Sequence, residues 1–330
     1  MSTESVYQLT QEDIQMQQYF KHLPRVKNNQ LKIKNDKSLF DLSFMKQLQL
    51  EQVFLSRCPN ISFRNKLSDT CQGLRAMKCN IKDLTGIDQN KSLQTLYIFS
   101  NLINDISPLR KLTRLSTLYA SSNKITDLSP LSSLLSLKSL SLSQNNIKEI
   151  YQLRNLCNLE YLDVSQNQIT DLNGIQHLRN LNYLDVNDNI ISDLSPLSNC
   201  QKLEYLSVQN NQVTSIDPLL KLLSLRSLHP DDNFITGFDY IFQENQFNYI
   251  HIDFQQKPNQ KQLNISKRMK TVFIFRTTSQ KNWQQNIDVQ KRLKVAKLEV
   301  TFLIKKLIDS QLVLSNFLLV AFGNHEQETQ

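Results

Sequence analysis

The chain has 330 residues, 40% of them apolar, a formal net charge of +8 and only 5 glycines. That is enough apolar material for a sizeable core, but it leaves little from which to build a phosphate-cradling loop, and neither G-x-G-x-x-G nor G-x-x-x-x-G-K-[ST] occurs. The cysteines (Cys58, Cys71, Cys79, Cys157 and Cys200) are odd in number and form no C-x-x-C pair, which argues against zinc ligation and against a disulfide framework.

The opening stretch MSTESVYQLTQEDIQ is polar and lacks the basic and apolar regions of a secretory signal. Thr10 with Asp13 resembles a capping box, opening a short amphipathic helix through Ile14, Tyr19 and Leu23 that Pro24 stops. Residues 1–30 are therefore expected to form a helical cap. Leu31, Ile33, Leu39, Leu42, Met45 and Leu48, then Leu50, Val53, Leu55, Cys58 and Ile61, read as degenerate repeat units over 31–70.

From residue 71 to 241 the repeat is regular. Asn101, Asn123, Asn145, Asn167, Asn189, Asn211 and Asn233 recur every 22 residues, and Leu93, Leu115, Leu137, Leu159, Leu181, Leu203 and Leu225 keep the same interval. The pattern L-x-x-L-x-L-x-x-N-x-I at this period is the signature of a solenoid in which each unit buries its apolar face against its neighbours. Within a unit, strand alternation sends Leu96 and Ile98 inward and Thr95, Tyr97 and Phe99 outward. The Asn side chain is expected to satisfy backbone groups of adjacent turns, because a buried polar group without partners is costly. Cys79 stands at the Asn position of the unit from Cys71 to Ser92.

Asp83, Asp105, Asp127, Asp171 and Asp193, with Glu149, form a second ladder, and Pro108, Pro130, Pro196 and Pro218 stand three residues after that repeat position. Asp before Ser-Pro suits the cap of a short helical turn. Twenty-two residues leave no room for a strand and a full α-helix, so 3-10 turns and extended chain are expected on the return side. Pro230 replaces the apolar residue of earlier strands and cannot donate to a ladder, so the array is expected to end there. Residues 242–330 leave the period. Apolar residues at helical spacing over 287–322, interleaved with Lys291, Arg292, Lys294, Lys297, Lys305 and Lys306, predict a basic and mainly helical C-terminal segment. Its longest apolar run, Leu312–Phe322, is too short to span a bilayer.

Charge follows the same division. Residues 71–241 carry 15 Lys/Arg against 16 Asp/Glu, residues 1–70 carry 10 against 7, and residues 242–330 carry 13 against 7. A neutral array weakens the case for nucleic acid as the partner.

Outward positions of the strands are the candidate binding surface. Tyr97, Phe99 and Tyr119 form one aromatic patch, and Tyr161, Tyr183 and Tyr205 form a ridge edged by Asp163 and Asp185. Aromatic residues anchor protein interfaces, which gives both groups a reason to sit on an exposed face. His229 and Asp231 lie on the same face, without a nucleophile or metal partner beside them. The Asp163/Asp185 pair lacks the enclosed pocket that acid–base catalysis needs.

The units ITDLSPLSSLLSLKSLSLSQNNI and ISDLSPLSNCQKLEYLSVQNNQV resemble the 22-residue class of leucine-rich repeats, as in internalins and the leucine-rich regulatory subunit of protein phosphatase type 1. The resemblance implies an α/β-type solenoid, a horseshoe with a concave parallel sheet and convex 3-10 or extended segments, here with helical caps at both ends. It also implies a non-enzymatic scaffold that docks a folded protein of basic or mixed surface on Tyr97, Phe99, Tyr119, Tyr161, Asp163, Tyr183, Asp185, Tyr205, His229 and Asp231. Regulation of a type 1 phosphatase is the alternative within that class. Association of the basic C-terminal segment with nucleic acid or an acidic membrane surface is the alternative from another class. No cofactor or small-molecule substrate is expected, and the cytoplasm or nucleus is the expected location.

Overall fold

The computed structural model describes residues 29–235, other than 38, 40, 41, 43–49, 65, 66 and 68, together with two strands further on, Tyr249–His251 and Val272–Ile274. Twelve strands follow one another in chain order in a single sheet: β1 (Gln30–Lys34), β2 (Gln52–Ser56), β3 (Gly73–Met77), β4 (Thr95–Tyr97), β5 (Thr117–Tyr119), β6 (Ser139–Ser141), β7 (Tyr161–Asp163), β8 (Tyr183–Asp185), β9 (Tyr205–Ser207), β10 (Ser227–His229), β11 (Tyr249–His251) and β12 (Val272–Ile274). Every pairing is parallel, and in β3–β10 the register steps by one repeat, Thr95 facing Thr117 and Tyr161 facing Tyr183. The expected helical caps over 1–30 and in the C-terminal segment lie outside the described residues. No helix among the described residues is long and apolar enough to cross a membrane.

The inward positions behave as strand alternation requires. Leu96, Ile98, Leu118, Leu140, Leu162, Leu184, Leu206 and Leu228 are all fully buried. Each buried leucine contributes about 1.5–3 kcal/mol relative to exposure, and the column continues without a break. The degenerate units join the same core, with Leu31, Leu42 and Leu55 at 0% exposure.

The Asn ladder ties consecutive turns together. Asn101 Oδ1 accepts from the N–H groups of Cys79 and Ile81, and its Nδ2 donates to the carbonyls of Ala76 and Ile98. Asn145 repeats this two turns on, accepting from Ile125 N–H and donating to the carbonyls of Ala120 and Leu142. Cys79 fills the Asn position with a buried thiol that accepts from Cys58 N–H and donates to the Met77 carbonyl.

Just ahead of each Asn the chain turns through a left-handed residue: Ser100, Ser122, Gln144, Gln166, Asp188, Asn210 and Asp232 all have φ between 51° and 55°. The return side carries 3-10 turns such as Ser107–Lys111, Ser129–Ser133 and Ser195–Asn199, each with Pro in its first positions. Asp105, Asp127 and Asp193 accept from the N–H of Ser107, Ser129 and Ser195, so the acidic ladder satisfies the first N–H of each turn. It does so from one position ahead of the N-cap residues Ile106, Leu128 and Leu194, which make no side-chain cap bond. In two of the turns without Pro, Gly86 and Gly174 stand in its place with φ of 93° and 101°, a conformation that an L side chain rarely adopts; in the third, Tyr151–Asn155, Gln152 holds the position.

The array does not end at Pro230. Strand β10 pairs with β11, and β11 pairs with β12. The reason lies in which donor the proline removes. The equivalent residues Ala120, Val164 and Val208 donate their N–H to the next strand, at Ser141, Asp185 and His229. Pro230 sits just past the three-residue strand and loses that one bond. Accordingly β10 and β11 match at two residue pairs, Ser227 with Tyr249 and Leu228 with Ile250, where β9 and β10 match at three. The segment expected to be mainly helical therefore contributes at least these two strands.

Candidate protein-binding surface

Parallel register places outward side chains of successive units about 4.8 Å apart, close enough for aromatic rings to stack. Tyr161, Tyr183 and Tyr205 use that spacing. Their ring centroids lie 4.5 Å and 4.4 Å apart, with interplanar angles of 14° and 2°. The two aromatic groups expected from the sequence form one continuous line. Tyr97 meets Tyr119 edge-on at 4.9 Å, and Tyr119 reaches Tyr161 at 6.3 Å.

The line changes column at β6, where both outward residues are small, Ser139 and Ser141. Ser139 Oγ donates to Tyr119 Oη at 3.1 Å across that step. At the far end Tyr205 approaches His229 at 5.1 Å, and His229 Nε2 shares a hydrogen bond with Ser227 Oγ. The tyrosines are consequently half-buried by one another, not freely solvated as their column position alone suggests.

Three residues outside the expected set extend the line. Arg75 lies over the rings of Tyr97 (4.5 Å) and Phe54 (5.0 Å), and Lys32 lies over Phe54 at 5.0 Å. Each such contact is worth about 0.5–1 kcal/mol at exposed sites. These residues share the column of Tyr97 through the β1–β4 register. Counting outward from Leu31, Val53 and Leu74 locates them in the sequence.

Beside the rings runs a polar network. Ser121 Oγ bonds Ser141 Oγ, Ser141 Oγ donates to Asp163 Oδ2, and Ser165 donates through both N–H and Oγ to Asp163 Oδ1. Asp185 accepts from Asn187 N–H. Burial pushes the Asp185 carboxyl up to about 6 against that hydrogen bond, and the neighbouring Asp163 and Asp188 charges add to the rise. Burial also pushes Tyr161 up to about 12, with Asp163 contributing, and raises Tyr183 and Tyr205.

Phe99 stands half-buried in the adjoining column, outside the tyrosine line. Asp231 departs from the expected surface. It is 4% exposed and its carboxylate takes Gln209 Nε2 at 2.6 Å, so it presents little side chain to a partner. Among the described residues no group of three His, Cys, Asp or Glu side chains could hold a metal ion.

A stack of near-identical turns presenting one outward sheet face defines a solenoid built to display a surface. The family profile described as leucine-rich repeats (two copies) matches residues 113–156 and again residues 157–199. Residues 113–199 therefore carry leucine-rich repeats, at the 22-residue period of the array. The chain is similar to internalin C2 of Listeria monocytogenes, with 28% identity over 63% of this chain and 82% of that one and a TM-score of 0.51. Internalin F of the same organism gives 21% identity over 76% and 86% of the two chains, with a TM-score of 0.59. The plant peptide hormone receptor RGFR1, solved in complex with RGF2, shares the fold at 17% identity over 69% of this chain and 40% of that one, with a TM-score of 0.55. No sequence relative was found among curated proteins. The fold is one typical of protein-binding domains, which generally do not catalyse reactions.

Proposed function

We propose that this protein is a non-enzymatic scaffold that docks a partner protein on the outward face of its sheet. The observation that carries this reading is the aromatic line from Tyr97 through Tyr119, Tyr161, Tyr183 and Tyr205 to His229. Scaffold chemistry, the Asn ladder and the Leu columns, does not require it. Ring stacking holds these side chains in place before a partner arrives, which lowers the ordering cost of association. Receptor RGFR1 carries RGF2 on the same fold, which supports binding as the use of such a scaffold.

The test is affinity capture with the full chain, wild type beside Tyr183→Ala/Asp185→Ala and beside Asp163→Asn, each first checked for folding by circular dichroism. Loss of the same partners from the folded variants supports the reading. Unchanged capture by all of them refutes it. If a type 1 phosphatase catalytic subunit is the partner, as the aromatic and acidic make-up of the face suggests, it will be among the proteins lost. Binding carried by the basic C-terminal segment would instead weaken steeply with salt. All five cysteines are free thiols, four of them buried, which suits the reducing cytoplasm or nucleus that we propose as the location.

A further inference from the structure

The repeat array is neutral as a whole, yet its outward face is not. Four positions per unit face outward or turn at the strand end: the columns of Thr95, Tyr97 and Phe99, and the left-handed residue that follows. In β1–β3 these positions hold Lys32, Lys34, Arg57, Arg75 and Lys78 and no acidic residue. In β4–β6 they hold no charge at all. In β7–β10 they hold Asp163, Asp185, Asp188 and Asp232, besides the buried Asp231, and no lysine or arginine. One row of residues in register thus runs from Lys32 and Arg75, past Tyr97 and Tyr119, to Asp163 and Asp185.

The basic end is also primed for an anion. The Arg75 guanidinium is held between the rings of Phe54 and Tyr97, and its Nε is buried without a hydrogen-bond partner among the described residues. A guanidinium fixed in this way suits a carboxylate.

Resting on the protein-docking reading above, we propose that the partner presents an extended segment lying along the aromatic line, acidic where it meets β1–β3 and basic where it meets β7–β10. The dimensions favour one extended chain. The strands of the regular units are three residues long, or roughly 10 Å, while β1 to β10 span nine strand spacings, or roughly 43 Å, which is about 13 extended residues. From Arg75 on β3 to Asp163 on β7 is four spacings, roughly 19 Å, so the acidic and basic blocks should stand about six residues apart. Charge order also discriminates, since a segment laid in the reverse sense would set like charges opposite one another.

The experiment pans random 16-residue displayed peptides on the full-length protein. Enriched sequences should carry an acidic and a basic block separated by about six residues. Synthetic copies should lose about tenfold in affinity when the charges are interspersed at constant composition, and about tenfold on Arg57→Glu/Lys78→Glu, whose side chains are exposed. Peptides of mixed or single charge, or indifference to charge order, overturn the inference. So does salt-sensitive self-association of the protein in sedimentation, because the bipolar face would then fit a second copy. If charge order is indifferent while Tyr183→Ala still abolishes binding, only the charge matching fails. If no peptide is enriched, or none is lost in Tyr183→Ala, the docking reading fails with it.

Discussion

Tyr183 is the centre of the stack, and its removal gives the most direct measure of what the aromatic line contributes to the fold. The ring lies 4.5 Å from Tyr161 and 4.4 Å from Tyr205, nearly parallel to both. Stacked pairs contribute about 0.5–1.5 kcal/mol each beyond area burial. Tyr183→Ala forfeits two of them, so about 1–3 kcal/mol is expected, with the lost half-buried ring area adding to it. Urea unfolding followed by far-ultraviolet circular dichroism measures this. A repeat array need not unfold in one step, so coincidence with a fluorescence probe should be checked first. Tyr183→Phe keeps both contacts and should stay within about 0.5 kcal/mol of wild type. The cycle Tyr161→Ala, Tyr183→Ala and the double variant should return a coupling of about 0.5–1.5 kcal/mol. A loss below about 0.5 kcal/mol on Tyr183→Ala, or zero coupling, would mean the rings are merely adjacent and the face is not prearranged.

Two further outcomes follow from local geometry. Asp185 is an acid whose folded value, about 6, lies above its ordinary 3.8. Its ionisation therefore opposes folding. The stability it contributes is full below pH 3.8, falls as pH rises from 3.8 to about 6, and stays lost above that. Asp185→Asn, which can still accept from Asn187 N–H, should flatten that part of the stability–pH curve and should not destabilise the protein at pH 7. A curve unchanged from wild type over this window would count against the burial argument. Gly86 has φ 93°, and a Cβ there would run into the Phe63 carbonyl oxygen, whereas at Gly174 the nearest atom, Tyr151 Cα, is 3.0 Å away. Backbone must move in the first case and barely in the second. Gly86→Ala should thus cost about 2 kcal/mol or more in urea denaturation, and Gly174→Ala about 1–2 kcal/mol from the left-handed backbone alone. Equal costs at the two sites would refute the steric part.

The period alone located most strands, because in a parallel stack with one strand per turn sequence spacing and register are the same quantity. It assigned Leu96 and Ile98 to the core and Tyr97 to the face. It failed where a neighbour lies off the column. Counting by 22 pairs Tyr97 with Tyr119 and Tyr161 with Tyr183, but the link from Tyr119 to Tyr161 is a diagonal over two serines, visible only once side chains are placed. Lys32, Phe54 and Arg75 are harder to see because Asp36, Cys58 and Cys79 replace the ladder Asn in their units, although Leu31, Val53 and Leu74 set their phase. Pro230 misled for a different reason. A missing donor suggests the end of a ladder, but in strands this short it removes a single bond from the strand's margin.

The stack also determines which part of each tyrosine a partner can reach. Both faces of the Tyr183 ring are covered, one by Tyr161 and the other by Tyr205. What the stack leaves uncovered is the rim of the ring, its edge and its phenolic oxygen, which also interacts with the neighbouring tyrosine hydroxyls. Recognition therefore relies on hydrogen bonds to Oη and on edge contacts, not on a side chain laid flat on the ring. Stability and binding then separate at one atom. Tyr183→Phe retains both stacking contacts but removes the hydroxyl, and a partner group that had paired with that oxygen is left unsatisfied at a cost of about 1–3 kcal/mol. The expectation is a folded protein of near wild-type stability whose affinity for its partner falls roughly fivefold or more. Titration of the captured partner against Tyr183→Phe reads this directly. Affinity equal to wild type would place the partner's contacts elsewhere on the face and leave the tyrosine line as an internal brace for the sheet.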